Sequence, residues 1–381
     1  MPAKKTKYLS LLFLLLLALI TAGALVRAVL FPREINYYEN RSAYLLPTFS
    51  VTGFIDKEFQ AGMDDALGDQ LPLSSYIKAA YNNVNSRFLC ACIERLSEKN
   101  PDGAWSVGEG MYCYRGKLLY EQQDFDELKD SYGRFIQGVN RAAMASPELD
   151  FYILHVETDR SFNPVTNTHS DSFSYLLRHS DLPRSHLSRF YTESFEQYDD
   201  YFFGTDHHWN NRGAYEAYAQ CARMLGVGDD ELIRPVSEET LPYRFSGTKS
   251  AGCGLTTLSE TPSAYIFDNA QLASFCPDEA AFFSGDAESY SYSRFFGADA
   301  GELIFDTGNT DRGNLLVIGN SFDNAIIELL ACHFNVTCNV DLRWLGAGFK
   351  VSEYARTHDI DKVLFVCDET MYLDDRYCVE E

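Results

Sequence analysis

The hydrophobic positions along this chain follow three regimes, and each predicts a different kind of structure. The first is unbroken. From Tyr8 to Val26 no charge interrupts YLSLLFLLLLALITAGALV, with Lys4, Lys5 and Lys7 before it and Arg27 after it. Roughly 20 apolar residues span a bilayer as a helix, and basic residues ahead of such a run favour a cytoplasmic N-terminus with the body exported. A cleaved signal peptide is the competing reading, with Val26-Arg27-Ala28 as a passable cleavage site. Both readings predict export.

The second regime is helical. Residues 31–59 are polar and broken by Pro32 and Pro47, the pattern of a membrane-proximal stalk. From Phe54 to Leu96 the apolar residues Phe59, Met63 and Leu67, then Ile77, Ala80, Tyr81 and Val84, recur with helical spacing. The turn Asp69-Gln70-Leu71-Pro72 divides two helices there. A long helix over 124–145 follows, started by Asp124 or Asp126 with acids in its first turn.

The third regime alternates. Short apolar runs at 151–157, 314–319, 335–344 and 362–368 read as buried strands, with helical stretches at 321–334 and 351–357 between the later ones. Strands alternating with helices imply right-handed crossovers and a parallel sheet covered on both faces, so the fold class is α/β. Residues 226–312 are rich in Gly, Ser, Asp and Tyr and read as long surface loops. The predicted organisation is a cytoplasmic tip and transmembrane helix over 1–30, a stalk with helices over 31–100, and a catalytic domain over 101–381.

Composition narrows this picture. Apolar content of 46% and aromatic content of 14% in 381 residues belong to a folded chain with a large core. The balance of 32 basic against 55 acidic residues, −23 in all, speaks against nucleic acid as a partner. Ten cysteines are compatible with an oxidising compartment, but they are too scattered to be the main support of so long a chain. Cys90 and Cys92 are too close to pair with each other, and no zinc-ribbon spacing is present. Most of the thiols are expected as small buried hydrophobes, with one or two bridges.

The candidate chemistry lies in two segments. In LLVIGNSFDNAIIELL the apolar strand ends at Gly319, Ser321 follows, and a helix is expected to begin at once. Open parallel sheets place active sites outside the carboxyl ends of their strands. A serine at a helix N-terminus has free N–H groups and the positive dipole end beside it for an oxyanion. The same serine serves equally well as a helix cap. The second segment is GTDHHWNNRGAYEAY, residues 204–218, which precedes a helix over 213–225. A serine hydroxyl needs a base, and the base needs an orienting acid. Asp206 and His208, two apart, lean to one side of an extended or turning chain, with His207 pointing away. A metal site needs three converging ligands, and adjacent histidines in an extended chain diverge. A histidine-rich turn ahead of the helix is the remaining reading.

TDHHW is also the namesake motif of the DHHW protein family. D-x-H-W followed downstream by G-[DN]-S-F resembles the SGNH-like alginate O-acetyltransferase group. The resemblance covers the exported part through Glu39-Asn40-Arg41, Asp69–Pro72 and Phe245-Ser246-Gly247-Thr248-Lys249-Ser250. It implies an SGNH-hydrolase-like fold with the Asp/His motif ahead of the serine. Ser321 is then the nucleophile, His208 the general base and acid, and Asp206 the orienting carboxylate. Ser321 and Asn324 are the expected oxyanion donors. Arg343, in VDLRW, either contacts substrate or forms a surface ion pair; Trp209 either stacks on carbohydrate or packs beneath His208. One departure stands out: the family's G-D-S is Gly319-Asn320-Ser321 here.

The activity expected from the resemblance is O-acetylation of a cell-surface polysaccharide by a membrane-anchored extracytoplasmic enzyme through an acyl-serine. No metal or cofactor is required, and a multi-pass membrane acyltransferase supplies the acetyl group. A carbohydrate acetylesterase with the same triad is the nearest alternative. A non-catalytic surface carbohydrate-binding or assembly protein is the alternative from another class.

Overall fold

In the computed structural model the described residues are 2–33, 35–36, 41–71, 74–242, 244–255, 257–269, 292, 296–297, 300–345 and 348–379. The chain forms two compact units, Met1–Leu89 with Gly254–Thr256, and Cys90–Cys253 with Thr257–Glu381. The division falls inside a helix, α3 (Ser74–Lys99).

In the first unit, α1 (Pro2–Leu30) contains a 20-residue stretch, Leu11–Leu30, of mean hydropathy 2.4 with almost none of it covered by protein. Among the described residues it is the helix long and apolar enough to cross a membrane, compatible with an anchor or a signal sequence. Helix α2 (Glu58–Gln70) ends in the Asp69-Gln70 pair, which is buried because it binds stalk backbone. The Gln70 amide donates to Arg33 O and Tyr44 O at 2.9 and 3.0 Å, and Asp69 accepts the Tyr44 N–H at 2.9 Å. Glu39, Asn40 and Pro72 of the expected motifs lie outside the described residues.

The second unit begins with a meander, β1 (Ala104–Gly108), β2 (Met111–Tyr114) and β3 (Lys117–Tyr120). Helix α4 (Phe125–Ala145) follows, N-capped by Asp124, whose side chain accepts the Asp126 N–H. The central sheet is built from β4 (Asp150–Val156), β5 (Leu187–Phe190), β8 (Glu302–Asp306), β9 (Leu315–Ile318), β10 (Val336–Val340) and β11 (Lys362–Cys367). Their order is β8-β10-β9-β11-β4-β5, parallel except for the edge strand β8.

Because successive side chains leave a strand on opposite faces, Leu315 and Val317 join one core and Leu316 and Ile318 the other. Helix α5 (Asn211–Met224) covers the first face through Ala214, Ala217, Tyr218 and Cys221. Helices α4 and α7 (Val351–His358) cover the second through Tyr132, Phe135, Val139, Val351 and Ala355. Cys113, Cys221, Cys332, Cys338 and Cys367 are buried thiols of this interior.

Three expectations need correction. The run 335–344 does not remain extended: it leaves the sheet after Val340 and closes a helical turn, Leu342–Leu345. Residues 226–312 are not loops throughout. They contain the hairpin β6 (Pro235–Thr240) and β7 (Ser263–Phe267), the short helix α6 (Thr248–Gly252) and β8. The helix expected from Ser321 onward is a 3₁₀ turn, Asp323–Ala325, followed by a five-residue helix, Ile327–Ala331.

Candidate active site

The serine turn starts where β9 stops. A side chain at Gly319 would place its Cβ 2.3 Å from Asp323 Oδ2, so only glycine lets Asp323 fold back against the strand end. Asn320 then closes the turn: its side-chain oxygen accepts the Phe322 N–H at 3.2 Å and its carbonyl accepts the Asp323 N–H at 2.9 Å. These local bonds compete with helical ones, which is why no α-helix begins at Ser321 and no long helix dipole points at it. Among the described residues the Ser321 N–H has no acceptor, which leaves it available to an oxyanion.

The departure at position 320 has a structural cause. The Asn320 amide donates to Asp368 Oδ1 at 2.8 Å, at the end of β11. A carboxylate at 320 would face another carboxylate there; the amide keeps the shape and supplies the donor.

The histidine segment has no regular structure of its own and is held by residues far away in sequence. Leu118 of β3 donates to Gly204 O at 2.8 Å. Glu260 accepts the Gly204 N–H at 2.9 Å, and the Thr205 N–H and hydroxyl at 2.8 and 2.7 Å. The Gly247 N–H reaches the Thr205 hydroxyl oxygen at 3.1 Å, and Ser250 N–H the Thr205 carbonyl at 3.1 Å. Thr248 binds Asp206 Oδ2 through its N–H at 2.7 Å and its hydroxyl at 3.1 Å. A Cβ on Gly247 would meet Asp206 Cβ at 2.3 Å, so this close approach requires glycine. The FSGTKS segment is therefore the backing of Asp206.

So held, Asp206 Oδ1 lies 2.6 Å from His208 Nδ1, and His208 Nε2 lies 2.7 Å from Ser321 Oγ. The fold brings these three groups into one hydrogen-bonded line across 113 residues of sequence. Tyr292 stacks on the His208 ring, centroids 3.6 Å apart and 7° between planes. Burial opposes ionisation of Asp206. The His208 and His207 rings, with hydrogen bonds from His208 and the Thr248 N–H, outweigh it and hold the carboxyl well below the usual range.

His207 does not point away as expected. Residues 204–208 form bends rather than an extended strand, and the His207 ring rests on His208 with centroids 3.8 Å apart. Its Nδ1 lies 2.7 Å from the Thr248 hydroxyl oxygen. Burial first, then the neighbouring His208, pushes its pKa down to about 3, so the ring is neutral. Ligating atoms of Asp206, His207 and His208 consequently lie within 4.8 Å of one another, closer than the divergent arrangement expected. Both His208 nitrogens and His207 Nδ1 are nonetheless engaged in the bonds above, and an ion bound there would break the alignment of the serine.

The other expected site residues are placed as follows. Trp209 is fully buried and packs edge-on against Phe190 and Phe322, with centroids 5.4 and 5.0 Å away. Of its two readings, full burial leaves no face for a carbohydrate and fits the packing one, which ties the histidine segment to the residue after Ser321. Arg343 grips Asp341 with Nε 2.9 Å from Oδ2 and 3.0 Å from Oδ1, the ion-pair alternative. Asp341 also accepts the Tyr377 hydroxyl at 2.7 Å. The Asn324 side-chain nitrogen lies 3.5 Å from Gly297 O, directed at backbone. Glu260, Asp368 and Tyr292 carry no local motif and were not anticipated; Thr248 was marked only by its weak segment.

No family profile matches the chain, and no curated protein matches it. Solved structures share its fold. A DHHW family protein from Eubacterium siraeum is 18% identical, covering 74% of this chain and 99% of its own, with a TM-score of 0.55. PatB1 from Bacillus cereus, solved with a sulfonyl adduct, is 19% identical over 71% of this chain and all of its own, also at 0.55. A second structure of PatB1 gives 18%, 70%, 98% and 0.53. The α/β architecture is thus that of the DHHW protein, in keeping with the family its TDHHW motif resembles.

Proposed function

We propose that this protein is a membrane-anchored extracytoplasmic O-acetyltransferase that acetylates a cell-surface polysaccharide through an acyl-serine. The observation that carries the reading is the line Asp206–His208–Ser321, with contacts of 2.6 and 2.7 Å. His208 Nε2 takes the Ser321 proton as Oγ attacks the acetyl carbonyl, and the Ser321 N–H meets the developing oxyanion. Asp206, held ionised, stabilises the imidazolium. The carbonyl re-forms as the donor's leaving oxygen departs with the His208 proton. A glycan hydroxyl then gives its proton to His208 and attacks the acyl-serine, and collapse returns that proton to Ser321 Oγ. No metal enters the scheme. The acetyl donor is a multi-pass membrane acyltransferase, and α1 keeps the two on one membrane.

The full chain in detergent, treated with phenylmethanesulfonyl fluoride or an activated acetyl ester, should gain one adduct on Ser321 by mass spectrometry. His208→Ala should lower the rate by several powers of ten. Acetyl arriving on an added oligosaccharide in preference to water supports the transferase, and release to water the esterase. No adduct under any condition refutes the catalytic reading and leaves a binding protein.

A further inference from the structure

The loop after β4 leaves the sheet at the same edge as the serine turn. Ile318 lies opposite Phe365, and Phe365 opposite Ile153, in parallel register. The turn Thr158–Ser161 there is rigidly held. Buried Glu369 accepts the Thr158 N–H at 2.9 Å, the Thr158 hydroxyl at 2.8 Å and the Ser161 hydroxyl. Gln123 N–H adds a bond to Arg160 O at 2.8 Å.

The Arg160 guanidinium carbon lies over the Tyr120 ring, 3.8 Å from its centroid. The same ring lies 5.2 Å from Lys249 Nζ, and Lys249 follows Thr248, the residue that binds both Asp206 and His207. The Arg160 charge is close enough to help depress the His207 pKa. Arg160 therefore belongs to the layer around the triad.

Its charge is not spent. Three described arginines of this unit are half-buried. Arg189 is locked on Glu157 and Arg343 on Asp341. Lys249, the buried cation beside it, is neutralised by Asp159 at 2.6 Å. Among the described residues no carboxylate pairs with Arg160. A guanidinium held over an aromatic ring with no carboxylate partner keeps N–H donors for a carboxylate or phosphate. In a chain of net charge −23 the body repels polyanions, so a fixed cation beside the nucleophile is where one would be retained.

We propose that Arg160 forms an anion subsite that holds a carboxylate or phosphate group of the acceptor glycan. This rests on the glycan-acetylating reading for its biological meaning, but the binding itself can be measured without catalysis. Calorimetry on the full chain in detergent would compare an oligouronate, an oligomeric polyol phosphate and an uncharged oligosaccharide of equal length. The wild type should bind one or both charged probes more tightly than the neutral one, and the preferred probe tells carboxylate from phosphate. Arg160→Gln should weaken the charged probe about tenfold or more and leave the neutral one alone. Arg160→Lys should fall between, and added salt should erase the preference. Circular dichroism melts establish that both variants fold.

Equal binding of the charged probe to wild type and R160Q, or no preference for charge in the wild type, overturns the subsite. An absent Ser321 adduct in the wild type counts against the transferase reading instead, and the two failures are read separately.

Discussion

Ser321 stands three residues past the end of a buried strand, whereas His208 stands in an irregular segment between Phe203 and α5. The serine side is positioned by the sheet: β9 lies between β10 and β11, and every residue from Leu315 to Ile318 is fully buried. The histidine side has no such frame. Its backbone and its carboxylate are held by Leu118, Gly247, Thr248, Ser250 and Glu260, each more than 40 residues away. Ser321 is thus set by hydrophobic burial, which tolerates many sequences. His208 is set by individual hydrogen bonds, each replaceable only by its like.

This difference makes Gly247→Ala the sharpest disruption that adds only a methyl group. The new Cβ would meet Asp206 Cβ at 2.3 Å and Thr205 O at 2.7 Å, backbone and short side chain that cannot swing aside. Asp206 must move, and the His208 ring loses its orientation. The expected result is a fall of about a hundredfold or more in the rate of Ser321 acylation, in line with the cost of misplacing a catalytic group, with the thermal transition nearly unchanged because the sheet core is untouched. A rate within a few-fold of wild type would show that the histidine side is more compliant than its bonds imply.

The same contrast explains what was legible in the sequence. Strands 151–157, 314–319 and 362–368 were readable because burial on both faces writes continuous apolar runs, and the serine followed from where one of them ends. Asp206 and His208 were readable because they share a motif. Their supports were not: a glutamate at 260 or a glycine at 247 looks like any other loop residue until the fold brings it to Thr205 or Asp206. His207 was misplaced because alternation holds for extended chains and residues 204–208 are bent. Trp209 was ambiguous because an aromatic side chain suits a sugar surface and a core equally well, and burial alone decides. Trp344, the last residue of VDLRW, is the exposed tryptophan among the described residues of the second unit.

Asn320→Asp probes the serine side in turn. Its side chain would oppose Asp368 across the 2.8 Å now bridged by the amide, and two such carboxylates share one proton rather than both ionise. Acylation by the variant should be near normal in mild acid and fall about tenfold as pH rises and the shared proton leaves. The double variant Asn320→Asp, Asp368→Asn reverses donor and acceptor and should restore a wild-type pH profile. If the double variant behaves as the single one, the bridge does not set the turn.

The smallest expected effect concerns Glu369, the neighbour of Asp368, which binds Thr158 and Ser161. Burial, followed by the Asp368 charge, raises its pKa from the ordinary 4.5 to about 7, against the pull of its three hydrogen bonds. Between those values the folded chain keeps a proton that the unfolded chain has released, so this group's contribution to stability declines as pH rises through the window. The slope amounts to on the order of 1 kcal/mol per pH unit. Glu369→Gln removes that proton equilibrium while keeping an acceptor for the Thr158 N–H. Melting temperatures of wild type and variant, taken from pH 4.5 to 8, should therefore diverge in the variant's favour with rising pH and run parallel above about 7. Buried His155, whose pKa burial lowers to about 4, tilts both proteins in the opposite sense and cancels in the difference. A difference that stays flat across the window would mean that Glu369 is already ionised in mild acid. The hydrogen bonds that fix the Thr158–Ser161 turn would then outweigh the cost of burying its charge, and the serine side would depend on specific polar contacts as much as the histidine side does.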